Sequence, residues 1–358
     1  MQTASGYAPG RVELLGNHTD YNQGVVLAAA IDRGLTVTGT RRSDGVITIA
    51  SEVSNSRVEI PPGSRSPQPA ASWANYPLGV VQQFELAGHP IEGFDATVSG
   101  DVPAGAGLSS SAAFEVATAG FLMALFAIRM EPMAVAKLCQ RAENEFVGVR
   151  SGLLDQATSV FGRRNQVVHL DFRTEEIRTI PFPEHVSLVI ADSGAKHQLL
   201  QSEYNMRREE CAAAAKALGV PTLREVSSAQ LEAARGSLDP TLFRRAAHIV
   251  GENERVAQAV QALEKGDPSK LGSLMNASHE SSRTNFENST PELDRLVAVA
   301  RALPGVLGSR LTGGGFGGGT VTLVETGAAE DAARELARHS PLAFVCQTAD
   351  GAAMTWPK

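Results

Sequence analysis

The chain has 358 residues, 43% hydrophobic and 20% charged, a composition that excludes disordered and collagen-like chains and allows a sizeable core. A net charge of −7 and a pI near 5.7 exclude a general attraction to nucleic acid or anionic membranes, so any basic site must be local. The length suggests two domains, and a cleft between domains is a common place for a small-molecule site.

Taken in chain order, Met1 to Gly6 carry neither a basic n-region nor an apolar h-region, so the chain is expected to be cytoplasmic. Residues 11–15, 24–31, 35–41, 46–51 and 57–60 are short β-rich runs broken by Asn, Gly, Asp and Pro, which predicts a mixed sheet. Residues 61–71 read as a loop, 73–86 as a helix and 94–99 as a strand. That strand runs into a glycine-rich loop whose serines sit where a helix begins. The apolar stretch 112–128 carries Glu115 and Thr118 and reads as a buried core helix rather than one of the roughly 20-residue spans a bilayer requires. Helices at 132–147 and 153–161 lead to strands at 166–171 and 186–192, with a domain boundary near 180. Helices follow at 202–218, 240–265, 268–278 and 291–302. The chain closes with strand 307–311, a glycine loop, strand 320–324, helix 328–339 and strand 343–347, a ferredoxin-like α+β pattern. Cys139, Cys211 and Cys346 are far apart and in no CxxC arrangement, so they read as buried thiols.

Four segments carry chemistry. In 103–111 closely spaced glycines let backbone N–H groups approach an anion, and the helix that follows adds its positive end, making a phosphate cradle. It is not a Walker A loop, because Leu108-Ser109-Ser110-Ser111 stands where a lysine is needed; the plainer alternative is a serine-capped turn. The cluster 313–319 formally contains GxGxxG, but a β-rich run follows it where a dinucleotide fingerprint opens a helix. It reads as a loop that brings backbone amides close to a ligand, with a hairpin turn as the alternative. Residues 9–22 crowd hydrogen-bonding side chains into a turn between apolar strands, which suits a polyhydroxylated ligand. In 151–156, Asp155 lies near a helix start, where capping alone would account for it.

In this order the segments resemble the GHMP kinase family over nearly the whole chain. Residues 11–21 are similar to the galactokinase signature around Gly-Arg-Val-Asn-Leu-Ile-Gly-Glu-His-Thr-Asp-Tyr. Residues 105–113 match the family's Gly-x-Gly-Leu-Ser-Ser-Ser-Ala-Ala loop, and 311–322 resemble its third, glycine-rich motif. Trp73-Ala74-Asn75-Tyr76, Gly152 to Gln156, and Ser202-Glu203-Tyr204 ahead of Arg207-Arg208 are supporting matches. The resemblance implies an α+β fold of two domains, a mixed-sheet N-terminal domain over 1–180 and a ferredoxin-like C-terminal domain over 181–358, with the active site between them. It implies an ATP-dependent kinase for the anomeric hydroxyl of a sugar, galactose first.

By the same resemblance Asp155 takes the proton of that hydroxyl and Arg11 faces the transferring phosphoryl group. Ser110 and Glu143 would hold Mg2+, Glu143 standing twelve residues before Asp155 as in galactokinases. Sugar contacts fall at Asn17, His18, Asp20, Gly152 and Tyr204, and nucleotide contacts at Trp73, Gly105, Gly107, Leu108, Ser109, Ser110 and Ser111. The expected partners are the sugar and ATP, with no nucleic acid or membrane, and the chain is expected to be a monomer or weak dimer.

Two polar positions depart from the signature: Glu13 replaces an Asn, and Asn17 replaces a Glu that the family places near the sugar's C6 hydroxyl. An amide at 17 removes a charge and adds two donors, which admits galacturonate, another C6-modified sugar or an N-acetylated hexosamine as alternatives. A non-catalytic sugar and ATP sensor is a further reading, opposed by the complete run 109–113 and by Asp155. A mevalonate or homoserine kinase is opposed by 17–21 and 202–204.

Overall fold

The structure is a computed structural model that describes residues 3–103, 105–149, 151–195 and 200–355. Its strands are β1 (Thr3–Leu15), β2 (Val25–Arg41), β3 (Ile47–Ser51), β4 (Ser56–Ile60), β5 (Phe94–Gly100), β6 (Gln166–Asp171), β7 (Ile177–Pro181), β8 (Val186–Asp192), β9 (Val306–Thr312), β10 (Gly319–Glu325), β11 (Ala343–Cys346) and β12 (Ala353–Thr355). One mixed sheet runs β12-β1-β2-β5-β3-β4, with β6 and β7 continuing from β2. A second, antiparallel sheet runs β11-β8-β10-β9. The α+β class, with a mixed sheet first, is the one expected. The last strand, β12, returns to pair with β1, so the first sheet includes residues from the chain's end.

Two runs expected at 24–31 and 35–41 form one strand, β2. Gly34 does not turn the chain there; it lies where the β1 pairing shifts register, and a Cβ on it would meet the Tyr7 ring at 2.4 Å. A glycine inside a strand can mark a close approach rather than a break. The short strand β7 and the helix Ser228–Ala233 were not anticipated, although Ser227 and Gln230 form a capping box whose spacing is legible in the sequence.

The helix Ser110–Phe126 is buried along almost its whole length and packs on β1. Gly6 permits that approach, since a Cβ there would lie 2.3 Å from the Ala117 carbonyl oxygen and from the Phe121 nitrogen. The long helix expected at 132–147 divides into an α-helix, Pro132–Arg141, and a π-turn, Ala142–Val147. Such wide turns are frequent at functional sites, and this one carries Glu143. All three cysteines are free and buried, as expected. Among the described residues no helix is long and apolar enough to cross a membrane.

Candidate active site

The site begins on β1, where side chains alternate between faces. Val12 and Leu14 enter the core, so Arg11 and Glu13 share the other face, about 7 Å apart at ~3.3 Å per residue. Beyond β1 the chain turns sharply through Gly16 (φ 99°) and His18 (φ 60°) into a 3-10 turn, Asp20–Asn22. Glu252, on the helix Pro240–Glu264, clasps this turn by accepting from the Gly16 and Asn17 N–H groups at 2.7 and 2.9 Å. Burial pushes the Glu252 carboxyl up, but Arg255, His248, Arg310 and the Asn17 N–H outweigh it and hold the group ionised.

Asp155 sits between β1 and the glycine loop that precedes the helix Ser110–Phe126. Its Oδ1 accepts from Arg11 Nε at 2.7 Å, and its Oδ2 accepts from the Ser109 hydroxyl. Arg11 is 6% exposed and also donates from Nη1 to the Gly107 carbonyl at 2.6 Å. Ser109 is the residue before the first helical turn but does not cap it: its φ is 52° and its hydroxyl is spent on Asp155. The capped-turn alternative is therefore not what forms, and that helix N-terminus has no side-chain cap. Gly105 (φ 83°) has open space where a Cβ would stand; Gly107 (φ 75°) lies against Thr312, whose carbonyl oxygen would be 3.3 Å from a Cβ. Ala104, in the same loop, lies outside the described residues. Leu108 points into the core at 1% exposure and its carbonyl accepts from the Arg11 N–H at 3.1 Å, so only its backbone faces the loop. Trp73 stacks on Phe114, the ring centroids 6.4 Å apart and the planes within 14°.

The Ser151 hydroxyl donates to Glu143, and the Ser111 side chain helps to lower the same carboxyl. Ser110, expected as a Mg2+ ligand beside Glu143, opens the helix, and it is the next serine, Ser111, whose side chain acts on the carboxylate. Burial raises the Glu143 carboxyl, opposed by its Ser151 hydrogen bond. Behind it, Gln156 Nε2 bridges Glu143 and the fully buried Glu115, whose carboxyl burial drives well up. Glu115 Oε1 and Gln156 Oε1 are buried without hydrogen-bond partners among the described residues. Among those residues no group of three or more His, Cys, Asp and Glu forms a metal cage, so an ion here would depend on hydroxyl and phosphate oxygens as well. That all-oxygen set suits Mg2+.

Beside Asp155 opens a pocket of ≈ 320 Å³ lined by Arg11, Glu13, Asn17, His18, Asp20, Gly152, Asp155, Tyr204 and the loop at Gly313 and Gly314. All five expected sugar-contact residues therefore line this pocket. Tyr204 donates to Asp20 Oδ2 at 3.0 Å, and burial raises the Asp20 carboxyl against the pull of the Tyr21 N–H and Tyr204. Gly152 must be glycine, because a Cβ would stand 2.4 Å from Asp20 Oδ2. His18 lies 2.8 Å from the Gly314 carbonyl through Nε2 and 2.8 Å from the Tyr21 hydroxyl through Nδ1. A carbonyl only accepts, so Nε2 carries the proton and Nδ1 accepts. Burial lowers the imidazole pKa to about 4.

The glycine loop 313–319 differs from its expected role at its first two residues. The Gly313 and Gly314 carbonyls accept from Asn17 and His18, so here it is oxygens rather than amides that hold the signature. Sequence reasoning missed Glu252 and His248 on the helix Pro240–Glu264, Asn288 in a loop and Arg310 on β9, which support the signature from more than 200 residues away.

Family comparison matches three descriptions along the chain: "Galactokinase galactose-binding signature" at 3–41, "GHMP kinases N terminal domain" at 75–163 and "GHMP kinases C terminal" at 259–342. The chain is 44% identical over 356 residues to the galactokinase of Homo sapiens, covering 96% of this chain and 90% of that one. It is 42% identical to the galactokinase of Roseiflexus sp. (strain RS-1), covering 96% and 91%. Its fold superposes on the Lactococcus lactis galactokinase complexed with galactose at a TM-score of 0.92 and 32% identity, covering 98% and 95%. A mevalonate kinase at 17% identity and a TM-score of 0.71 shares the fold alone.

Proposed function

The chain belongs to the galactokinase family of the GHMP kinases, and from this we infer an ATP-dependent kinase for the anomeric hydroxyl of galactose. One observation carries the reading: Asp155 is held between Arg11 and Ser109 at the mouth shared by the ≈ 320 Å³ pocket and the phosphate loop.

Phosphoryl transfer asks little covalent chemistry of a protein; it asks for positioning and for charge stabilisation on the equatorial oxygens. In the proposed arrangement Asp155 orients the sugar hydroxyl and accepts its proton. Arg11 steadies that carboxylate through Nε and keeps its guanidinium at the loop where the phosphates bind. Gly105, Gly107 and the uncapped N-terminus of the helix Ser110–Phe126 offer backbone N–H groups to phosphate oxygens. Trp73, on Phe114, is the wall proposed for the nucleotide base. Glu143 with Ser111 would hold Mg2+, which when bound neutralises charge on the phosphates. Asp20, Tyr204 and His18 shape the wall for the sugar, with neutral His18 fixed by its two hydrogen bonds.

Galacturonate is not favoured: Glu13 adds a carboxylate to the wall that would have to tolerate a second one. The sensor reading is opposed by the assembled Asp155–Arg11–Ser109 group. The test is a panel of hexoses and uronates incubated with ATP and Mg2+. Galactose 1-phosphate and ADP in equal amounts are expected; turnover of another sugar with none of galactose would refute the reading.

A further inference from the structure

Positions 13 and 17 exchange the Asn and Glu of the signature, and the two side chains touch: Asn17 Nδ2 donates to Glu13 Oε1 at 3.0 Å. The rest of the Asn17 amide is also taken. Nδ2 donates to the Gly313 carbonyl at 2.7 Å, and Oδ1 accepts from Asn288 Nδ2 at 2.8 Å. Both groups facing Nδ2 are acceptors, which fixes the orientation of the amide. At 1% exposure Asn17 shapes the pocket wall but has no donor left for a ligand.

Glu13 is placed differently. Its Oε1 receives Asn17 and Arg310 Nη1, the latter at 3.0 Å, while its Oε2 has no hydrogen-bond partner among the described residues, and the residue lines the pocket. Arg310 is fully buried, and its Nε and Nη2 have no partner among those residues, so the Glu13 carboxylate stands as its counter-ion. A carboxylate clamped on one oxygen and free on the other is a rigid, directed acceptor. It lies on the same face of β1 as Arg11, about 7 Å along the strand, and lines the same pocket as Asp155, so a sugar with its anomeric oxygen at Asp155 has room to reach Glu13 with its far end.

We propose that Glu13 determines specificity: its Oε2 accepts a hydrogen bond from the C6 hydroxyl of the sugar, a role moved from position 17 to position 13, with Arg310 and Asn17 positioning the carboxylate. The proposal rests on the galactose kinase reading. It is tested by kcat/KM for galactose and for 6-deoxygalactose in the wild type and in Glu13→Gln, together with the thermal midpoint. Loss of a charged hydrogen bond lowers kcat/KM for galactose about tenfold or more, chiefly through KM, while 6-deoxygalactose stays within about twofold. The preference between the sugars therefore collapses. An unchanged preference between the sugars at an unchanged midpoint overturns the proposal.

Because Glu13→Gln risks misfolding around Arg310, the double variant Glu13→Asn/Asn17→Glu is compared with Asn17→Glu alone. The single variant sets two carboxylates against each other and against the Gly313 carbonyl. The double keeps one carboxylate and one amide in contact, and is expected to recover at least about tenfold in galactose kcat/KM together with the sugar preference. A double variant no better than the single overturns the proposal. A wild type that turns over 6-deoxygalactose or a uronate but not galactose overturns the galactose reading instead, which separates the two failures.

Discussion

Asp155→Asn separates the catalytic use of this carboxylate from its structural use. Asp155 accepts twice, from Arg11 Nε at 2.7 Å and from the Ser109 hydroxyl. An amide accepts on one side only, but the arrangement tolerates it: Oδ1 faces the obligate donor on Arg11, and Nδ2 faces Ser109, whose hydroxyl rotates to accept. Arg11, with its side chain 7% exposed, keeps a neutral hydrogen bond there and the Gly107 carbonyl at 2.6 Å. The structural loss is then the difference between a charge-assisted and a neutral hydrogen bond, about 1 kcal/mol, or a few degrees in Tm. Asp155→Ala would in addition leave Arg11 Nε and the Ser109 hydroxyl without their acceptor, a further cost of about 1–3 kcal/mol that obscures any catalytic effect. Losing a general base costs about 10²-fold or more in kcat, which is about 2.7 kcal/mol of barrier. Steady-state kinetics on the purified Asn variant, with sugar binding by calorimetry and Tm by scanning, should show a large kcat loss with nearly intact binding. A kcat within about threefold of wild type would reduce Asp155 to a counter-ion for Arg11.

Gly152→Ala forces Asp20 away from a Cβ that would stand 2.4 Å from its Oδ2, loosening the Tyr204 contact; KM for the sugar should rise about tenfold with KM for ATP unchanged, and a parallel rise in both would place the effect outside the sugar wall. Ser111→Ala should raise the Mg2+ concentration required for activity several-fold more than Ser110→Ala, and the reverse order in a Mg2+ titration would return the metal to Ser110. His248 is buried and its pKa is pushed down to about 3, so the unfolded chain binds a proton that the folded one refuses between pH 6.5 and about 3. Its contribution to stability is therefore present above pH 6.5 and is lost as pH falls through that window, by up to about 1.4 kcal/mol per pH unit. Urea unfolding at pH 7, 6 and 5 should show a shallower decline in His248→Gln, and equal slopes would sink the assignment.

What was legible in the sequence is what a short segment specifies by itself. Closely spaced glycines before a helix announce a tight loop at the helix start, and a turn dense in Asn, His, Thr and Asp between apolar strands announces a polar wall. The strands β6 and β8 were bounded correctly because turn residues or charges close both ends. The misreadings come from tertiary context. Gly34 looked like a breaker because sequence does not show the Tyr7 ring that needs the space. Within the serine run, sequence does not show how the turn of the helix Ser110–Phe126 relative to the π-turn at Glu143 directs Ser111 to the carboxylate.

Asn17 is the sharpest case, because the sequence shows the substitution and hides what it does. Read in its own segment, an amide in place of a carboxylate frees donors and widens the range of acceptable sugars. In the fold those donors meet Glu13, four residues back, and the Gly313 carbonyl, 296 residues on, while the amide oxygen meets Asn288, 271 residues on. The amide is thereby converted from a ligand contact into a tie between the first sheet and the glycine loop. Charge is conserved across the exchange, since one carboxylate and one amide remain, and the carboxylate now faces Arg310 at 0% exposure. A buried guanidinium needs a carboxylate within hydrogen-bonding reach, so an amide at both 13 and 17 would leave it uncompensated and a carboxylate at both would repel. The two polar departures from the signature are thus one change, and substitutions at either position should be judged as a pair.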